Sequence, residues 1–277
     1  MSSLARLRQW ARQNLPGLGW LRDIRRRGTV VMFHIGRSGS TVVGGLLAQH
    51  PQIWWDGEIY DQLYKQLEAA DGDLRRIDAY ESIPYLKQRA RQRGSAFYGF
   101  EASVRQIEIL GDSARGYIEA LETEGRCRHF IVLERRNTLR TIVSFLAAKQ
   151  NASYHVPQGE KPPRAPVAVD VNRVSTSRRD DWVLPLVEHL QLYQDTFANL
   201  HELLQNRNSL HLTYEDDVLE DPRRAYHRTC DFLQLPQHDS TVLLARTNPY
   251  PLPQLIANFD EVAATLAGTS FEWMLED

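Results

Sequence analysis

The chain has only two cysteines, Cys127 and Cys230, among 277 residues. Nothing in their spacing suggests a metal or redox site. They read as buried free thiols of a reducing compartment, with a Cys127–Cys230 pairing as the other arrangement. No apolar run approaches the roughly 20 residues that a membrane-spanning helix needs. No secretory signal with a cleavage site is visible, so the protein is expected to be cytoplasmic as made. Net charge is only −2. That excludes a general polyanion binder, and no nucleic-acid partner is expected; any anion site has to be local. No internal repeat is present, which argues against a solenoid or propeller.

What is there is a phosphate-type loop near the start. Val30, Val31, Met32 and Phe33 form an apolar run that reads as a buried strand. Gly36 and Gly39 then flank Arg37 and Ser38. Ser40 or Thr41 is placed to cap a helix that begins with Val42–Leu47 and stops at His50-Pro51. Strand, glycine turn and helix start is the geometry that cradles a phosphate. The glycines allow positive φ, and the exposed N–H groups and helix dipole favour an anion. Arg37 adds a fixed charge with a fork of donors. A Walker A loop needs a lysine before the Ser/Thr, and none stands here. An ordinary strand–turn–helix connection is the competing reading. Gly44 and Gly45 inside the helix cost about 1 kcal/mol each against alanine and point to close backbone packing.

Residues 1–27 hold seven arginines against the single acid Asp23. Leu4, Leu7, Trp10 and Ala11 recur at helical spacing, and Trp20, Leu21 and Ile24 follow Pro16-Gly17. This basic amphipathic arm reads either as a helix packed on the domain with solvated arginines, or as a peripheral contact with an anionic membrane surface. Residues 28–277 are expected to form one domain.

Further strands are expected at Ile53–Trp55, Ala96–Glu101, His129–Leu133 and Leu210–Tyr214. Helices are expected over 59–93 with a break near Asp71-Gly72-Asp73, over 112–124, after Asn137, over 182–206, from Asp221-Pro222 to Leu233, and over 258–267. The prolines and glycine of 151–181 preclude a continuous helix there. Strands alternating with helices argue an α/β protein with a parallel three-layer arrangement. Arg136 stands at the end of the His129–Leu133 strand, and Ser144 lies roughly 10 Å along the helix that follows. In open α/β sheets ligands gather at such strand ends.

These features resemble the sulfotransferase family. Arg37-Ser38-Gly39-Ser40-Thr41 resembles the R-S-G-S-T of its bacterial carbohydrate-type branch. His50-Pro51 and Gly57-Glu58 match two further landmarks. Arg136 with Ser144 resembles the family's second signature, although Arg136-Asn137-Thr138 stands where the family usually has Arg-Asp-Pro. Leu212-Thr213-Tyr214-Glu215-Asp216 with Asp221-Pro222 resembles its Y-E-D…D-P segment, and Phe232-Leu233-Gln234-Leu235 its F-L-G-L helix end. The resemblance covers about residues 29–235, with a weaker echo at Asn258–Val262. The C-terminal R-K-G-x-x-G-D-W-K segment of the cytosolic animal branch is absent, so the adenine contacts stay unplaced.

The resemblance implies a three-layer P-loop-like fold with a central parallel sheet flanked by helices. It implies sulfuryl transfer from 3′-phosphoadenosine 5′-phosphosulfate (PAPS) to a hydroxyl or amine of a carbohydrate or glycolipid acceptor. The product nucleotide is 3′-phosphoadenosine 5′-phosphate (PAP), and no metal is required. Gly36, Arg37, Ser38, Gly39, Ser40 and Thr41 would hold the 5′-phosphosulfate. Arg136 and Ser144 would hold the 3′-phosphate. Arg37 would also stabilise charge on the leaving oxygen. A general base is needed, with Glu101 first, Glu58 second and Asp61 a variant of the Glu58 idea. For either glutamate a surface or capping role is the alternative, and His34 reads as a packed core histidine. Two other functions stay open: a P-loop nucleotide or small-molecule kinase, and an inactive nucleotide-binding module.

Overall fold

The computed structural model describes residues 27–69, 82–91, 94–104, 107, 113–176 and 183–276. The basic arm lies outside these residues except for Arg27, and so does the break expected near Asp71. In chain order the first elements are strand β1 (Gly28–His34), helix α1 (Ser40–Leu47), β2 (Ile53–Glu58), α2 (Asp61–Ala69), α3 (Ser82–Arg91), β3 (Phe97–Ser103) and α4 (Ala114–Thr123). Then follow β4 (Cys127–Glu134), α5 (Thr138–Gln150), α6 (Leu186–Leu204), β5 (Ser209–Thr213), α7 (Arg223–Phe232), α8 (Leu252–Leu255) and α9 (Phe259–Leu266). The five strands form one parallel sheet in the order β2-β3-β1-β4-β5, flanked by helices. The α/β expectation holds, with each expected strand present.

β1 is the central strand because it is apolar on both faces. Val30, Val31 and Met32 are fully buried and Phe33 nearly so. That is the pattern of a strand covered on both sides. From β1 the chain moves to β2 and β3 on one side, and later from β4 to β5 on the other. The strand order therefore reverses between β1 and β4. Ligands of open parallel sheets bind outside the carboxyl ends of the strands at this switch point. The residues leaving those two strands are the Gly36–Gly39 loop and the Arg135–Asn137 turn.

By proximity the described residues form two compact units, each built from separate stretches of chain. The first lies within Met1–Ile35, Gly39–Glu134 and Leu200–Val242 and contains the sheet. Its core joins Val30 and Met32 of β1, Leu46 and Leu47 of α1, Ile131 and Leu133 of β4, and Tyr226 and Cys230 of α7. Both cysteines are free and buried here, and burial pushes the Cys127 thiol up to about 12 and Cys230 to about 11. After β5 the Tyr214–Val218 segment makes a single wide turn. Asp217 is buried there, accepting from the Thr213 N–H at 2.8 Å and from Arg228 at 2.7 Å. Asp217, the residue after the Y-E-D stretch, thus fastens this turn to β5 and α7.

The second unit lies within Gly36–Ser38, Arg135–Asn199 and Leu243–Asp277. Asn137 explains how α5 starts without the family's proline. Its side chain accepts from the Arg140 N–H at 3.1 Å and donates to the Met274 carbonyl at 2.9 Å. It is an N-cap held in place from behind. The described part of 151–181 has no helix, as expected, yet it is tied down. Val156–Pro157 pairs antiparallel with Leu244–Ala245. The Asn258 side chain accepts from the Val169 N–H at 2.9 Å and donates to its carbonyl at 2.8 Å.

His50 makes stability pH-dependent in a definite direction. Its Nδ1 accepts from the Gln52 N–H at 3.1 Å, so Nε2 carries the proton toward the Pro236 carbonyl at 2.9 Å. The ring is held neutral. Burial chiefly lowers its pKa, with His238 adding to the effect and the Pro236 hydrogen bond opposing it. Burial also lowers His129, His155 and His211. A lowered folded-state pKa means that the unfolded chain binds more protons. The stability these groups contribute is full above the unfolded value of about 6.5 and is lost as pH falls below it. Urea unfolding should therefore show falling stability from pH 7 to pH 5, with a shallower slope in His50→Asn. An unchanged slope in that variant would show that His50 is not part of the effect.

Candidate functional site

The loop after β1 is bent at two residues. Arg37 has φ +60° and Gly39 has φ +89°. A non-glycine residue in the left-handed region is uncommon and is held there by its surroundings. Gly39 cannot be replaced freely, because a Cβ would lie 2.9 Å from Val218 Cγ1 and 3.1 Å from the Tyr214 ring. Gly39 itself is the N-cap of α1, with no side-chain cap bond. This corrects the expectation that Ser40 or Thr41 caps the helix. Ser40 is already helical, and it is buried. Gly36 would accept a Cβ without contact and Thr41 is half-buried. Ser38 is 1% exposed, and its hydroxyl has no hydrogen-bond partner among the described residues. Buried hydroxyls are normally paired.

Arg37 meets Ser144. Its Nε donates to the Ser144 hydroxyl at 3.0 Å, across 107 positions of sequence. Its other nitrogens donate to the Tyr154 carbonyl at 2.9 Å and the Thr247 hydroxyl at 3.1 Å. Ser144 is buried on α5. Arg135 is buried and donates to the Arg37 carbonyl at 3.3 Å, while the neighbouring Arg136 is exposed. Sequence reasoning named Arg37, Arg136 and Ser144 but not Tyr154, Thr247 or Arg135. Tyr154 acts through its backbone carbonyl, which no side-chain motif could reveal.

The two glutamates also come together. Trp55 pairs with Gly99 and Glu58 with Glu101, so β2 uses one more residue than β3 between these pairs. The extra residue is a β-bulge, made at Gly57 with φ +68°. Without it Glu58 would point to the opposite face of the sheet. Glu58 is therefore a strand residue beside Glu101. Glu101 does not end its strand, which was expected to stop there. β3 runs on to Ser103, and Glu101 is 1% exposed. Helix α1 covers it closely: a Cβ on Gly44 would lie 2.5 Å from Glu101 Oε1 and 2.5 Å from Trp55 Nε1. Trp55 Nε1 donates to Glu101 Oε1 at 2.9 Å, and His34 Nε2 lies 3.6 Å from Oε2. Burial is the main cause of a raised Glu101 pKa. His34, Trp55 and Ser40 oppose the rise, and Glu58 adds to it. Asp61 begins α2 and pairs with Lys65 at 2.6 Å on the same helix.

Among the described residues, His34, Glu58 and Glu101 bring one ligand-type atom each within 4.8 Å of one another. His34 is fully buried, and neither ring nitrogen has a hydrogen-bond partner among the described residues. A metal-bound histidine normally donates its second N–H to a carboxylate or carbonyl, which fixes the tautomer. Among the described residues no such acceptor stands behind His34.

No protein-family model matches the chain, and no curated protein does. A solved structure does. The crystal structure of a sulfotransferase from Alicyclobacillus acidocaldarius aligns over 91% of this chain and 94% of its own, with a TM-score of 0.51 and 14% identity. The fold is that of a sulfotransferase. At this identity the likeness speaks to architecture alone. Within the sulfotransferase fold seen here, the β1–α1 loop and the β4–α5 turn leave the strands at the switch point of the sheet. No described helix is long and apolar enough to cross a membrane.

Proposed function

We propose that the protein transfers a sulfuryl group from PAPS to a hydroxyl or amine of a carbohydrate or glycolipid acceptor. Residues 28–277 act as one catalytic domain, and the basic arm of residues 1–27 makes a peripheral membrane contact near the acceptor. The observation that carries the reading is the Arg37–Ser144 hydrogen bond, which joins the two phosphate signatures read separately from the sequence. Two facts support it. The buried Ser38 hydroxyl is without a partner among the described residues, as a donor meant for a phosphate oxygen would be. The backbone at Arg37 and Gly39 turns into the start of α1, where N–H groups favour an anion.

In this reading Gly36–Thr41 hold the 5′-phosphosulfate, and Arg136 with Ser144 takes the 3′-phosphate. The acceptor oxygen attacks sulfur as the bond from sulfur to the 5′-phosphate oxygen breaks. Positioning and charge stabilisation dominate such a transfer, by analogy with phosphoryl transfer.

The test is a thermal-shift comparison of PAP, adenosine 5′-phosphosulfate and Mg-ATP. PAP at a hundredfold excess over its Kd should stabilise the fold by about 2.7 kcal/mol. Arg136→Ala should weaken PAP while leaving adenosine 5′-phosphosulfate, which lacks the 3′-phosphate, nearly unchanged. Stabilisation by Mg-ATP with none by PAP would replace this reading with that of a kinase. Equal losses for both nucleotides would remove Arg136 from the 3′-phosphate site.

A further inference from the structure

His34 is a buried side chain that the sulfuryl-transfer reading leaves without a task. We propose that His34, Glu58 and Glu101 form a binding site for one first-row divalent cation, Zn²⁺ before the others. The ion would bind with no nucleotide present, so the site stands or falls apart from sulfuryl transfer.

Three neighbouring strands bring the residues to one face of the sheet. Glu101 of β3 is the register partner of Met32 on β1, and His34 lies two residues beyond Met32. Residues two apart on a strand share a face. Glu58 of β2 is the register partner of Glu101, placed there by the bulge at Gly57. One ligand-type atom from each of the three lies within 4.8 Å of the others.

His34 is the group that lacks partners. It is 0% exposed, and neither ring nitrogen has a hydrogen-bond partner among the described residues. A neutral imidazole has one nitrogen that donates and one that accepts, so both polar positions are orphaned. Buried polar groups are normally satisfied, by an ion where the chain supplies nothing. His34 Nε2 lies 3.6 Å from Glu101 Oε2. That is long for a hydrogen bond. It is close to the spacing of about 3.4 Å between two ligands of a tetrahedral zinc with bonds of about 2.0–2.2 Å. An ion on Nε2 takes up the lone pair there and sets the proton on Nδ1. One atom is then left orphaned instead of two.

Charge points the same way. Glu101 is buried, and its one ion-pair contact among the described residues is with His34. Buried carboxylates are paired or bind metal ions. Two ionised glutamates beside a neutral imidazole are matched by a divalent cation. Trp55 Nε1 donates to Glu101 Oε1 at 2.9 Å and leaves Oε2 on the side of His34. Metal-bound carboxylates are held by such outer hydrogen bonds. Glu58 is half-buried, so the ion enters on its side and the fourth position falls to a water. A nitrogen ligand with two carboxylates favours zinc or manganese over magnesium and calcium, which prefer oxygen alone, and zinc binds more tightly than manganese.

Calorimetric titration of the full chain, without an affinity tag and stripped of metal by a chelator that is then dialysed away, tests the site. Zn²⁺ should bind at one equivalent per chain with micromolar or tighter affinity, and Mg²⁺ should give no binding at the same concentrations. Glu58→Gln and His34→Gln should each weaken zinc by more than about 100-fold, beyond the loss expected for removing an outer partner. Glu58 is half-buried, so its variant judges the site even if His34→Gln does not fold. His201→Gln is the control for surface binding, since His201 and His211 stack with ring centres 4.5 Å apart. It should leave tight zinc binding unchanged. Anomalous scattering from crystals soaked in zinc should place the ion in bonding distance of His34 Nε2.

No stoichiometric zinc binding by the wild type overturns the proposal, and Glu101 then holds a proton in place of an ion. Binding that survives in Glu58→Gln but is lost in His201→Gln overturns it in favour of the surface histidines. Zinc binding by a chain that does not bind PAP supports the site while the sulfuryl-transfer reading fails. PAP binding by a chain that does not bind zinc does the reverse.

Discussion

Arg37→Ala should lower turnover by about 10²–10³ while reducing PAP affinity far less. A donor aimed at charge that develops only in the transition state acts on rate more than on binding. Arg37 is suited to this because its conformation is fixed in advance. The backbone is left-handed at φ +60°, and Ser144, the Tyr154 carbonyl and Thr247 hold the guanidinium. In the proposed reaction little would have to move when charge builds on the leaving oxygen. Arg37→Lys should rescue only part of the rate. An ammonium restores the charge but cannot reproduce the fork that engages three partners. Single-turnover rates should be measured with PAP affinity from thermal shift on the same variants. A loss confined to affinity, with turnover intact, would reduce Arg37 to a tether.

The second large effect is on stability, and it separates two neighbouring glycines. Gly44→Ala should destabilise the fold by about 1–3 kcal/mol, the usual cost of overpacking. The new methyl would press on Glu101 Oε1 and Trp55 Nε1, both at 2.5 Å, and so on the hydrogen bond between them. Gly45→Ala should stabilise the fold by up to about 1 kcal/mol, since nothing lies within 4 Å and a helical glycine is replaced by the best helix former. Gly99→Ala should behave like Gly44→Ala, because its Cβ would press directly on Trp55 Cε3. Glycines 44 and 99 are thus two places where Trp55 is seated. Urea denaturation of the three variants gives the comparison. A Gly44→Ala protein as stable as Gly45→Ala would mean that α1 shifts readily away from Trp55, and the close cover over Glu101 would be in doubt.

The sequence by itself determined the elements and the places where chemistry was to be sought. The apolar run Val30–Phe33 had to be a buried strand, and the glycines around Arg37 and Ser38 had to make a turn into a helix. The His129–Leu133 strand had to deliver Arg135 and Arg136 into a turn. These are local consequences of hydrophobic period and backbone freedom, readable over a dozen residues. The second glycine of the pair inside α1 was also flagged for close packing, yet only Gly44 is packed.

Only the tertiary structure decided what those residues touch. The strand order that sets the switch point depends on pairings between distant segments. The bulge that brings Glu58 beside Glu101 depends on the register of two strands, which a hydrophobic pattern does not specify where a glycine breaks it. The burial of Glu101 follows from α1 lying over it, and α1 can lie that close only because residue 44 has no side chain. The partners of Arg37 come from segments 107 and more positions away, one of them a main-chain carbonyl. Local sequence encodes conformation through short-range sterics. Burial and hydrogen-bond partnership are set by which distant elements pack together, and so the exposures of Glu58 and Glu101 were not legible until the sheet and its covering helix were in place.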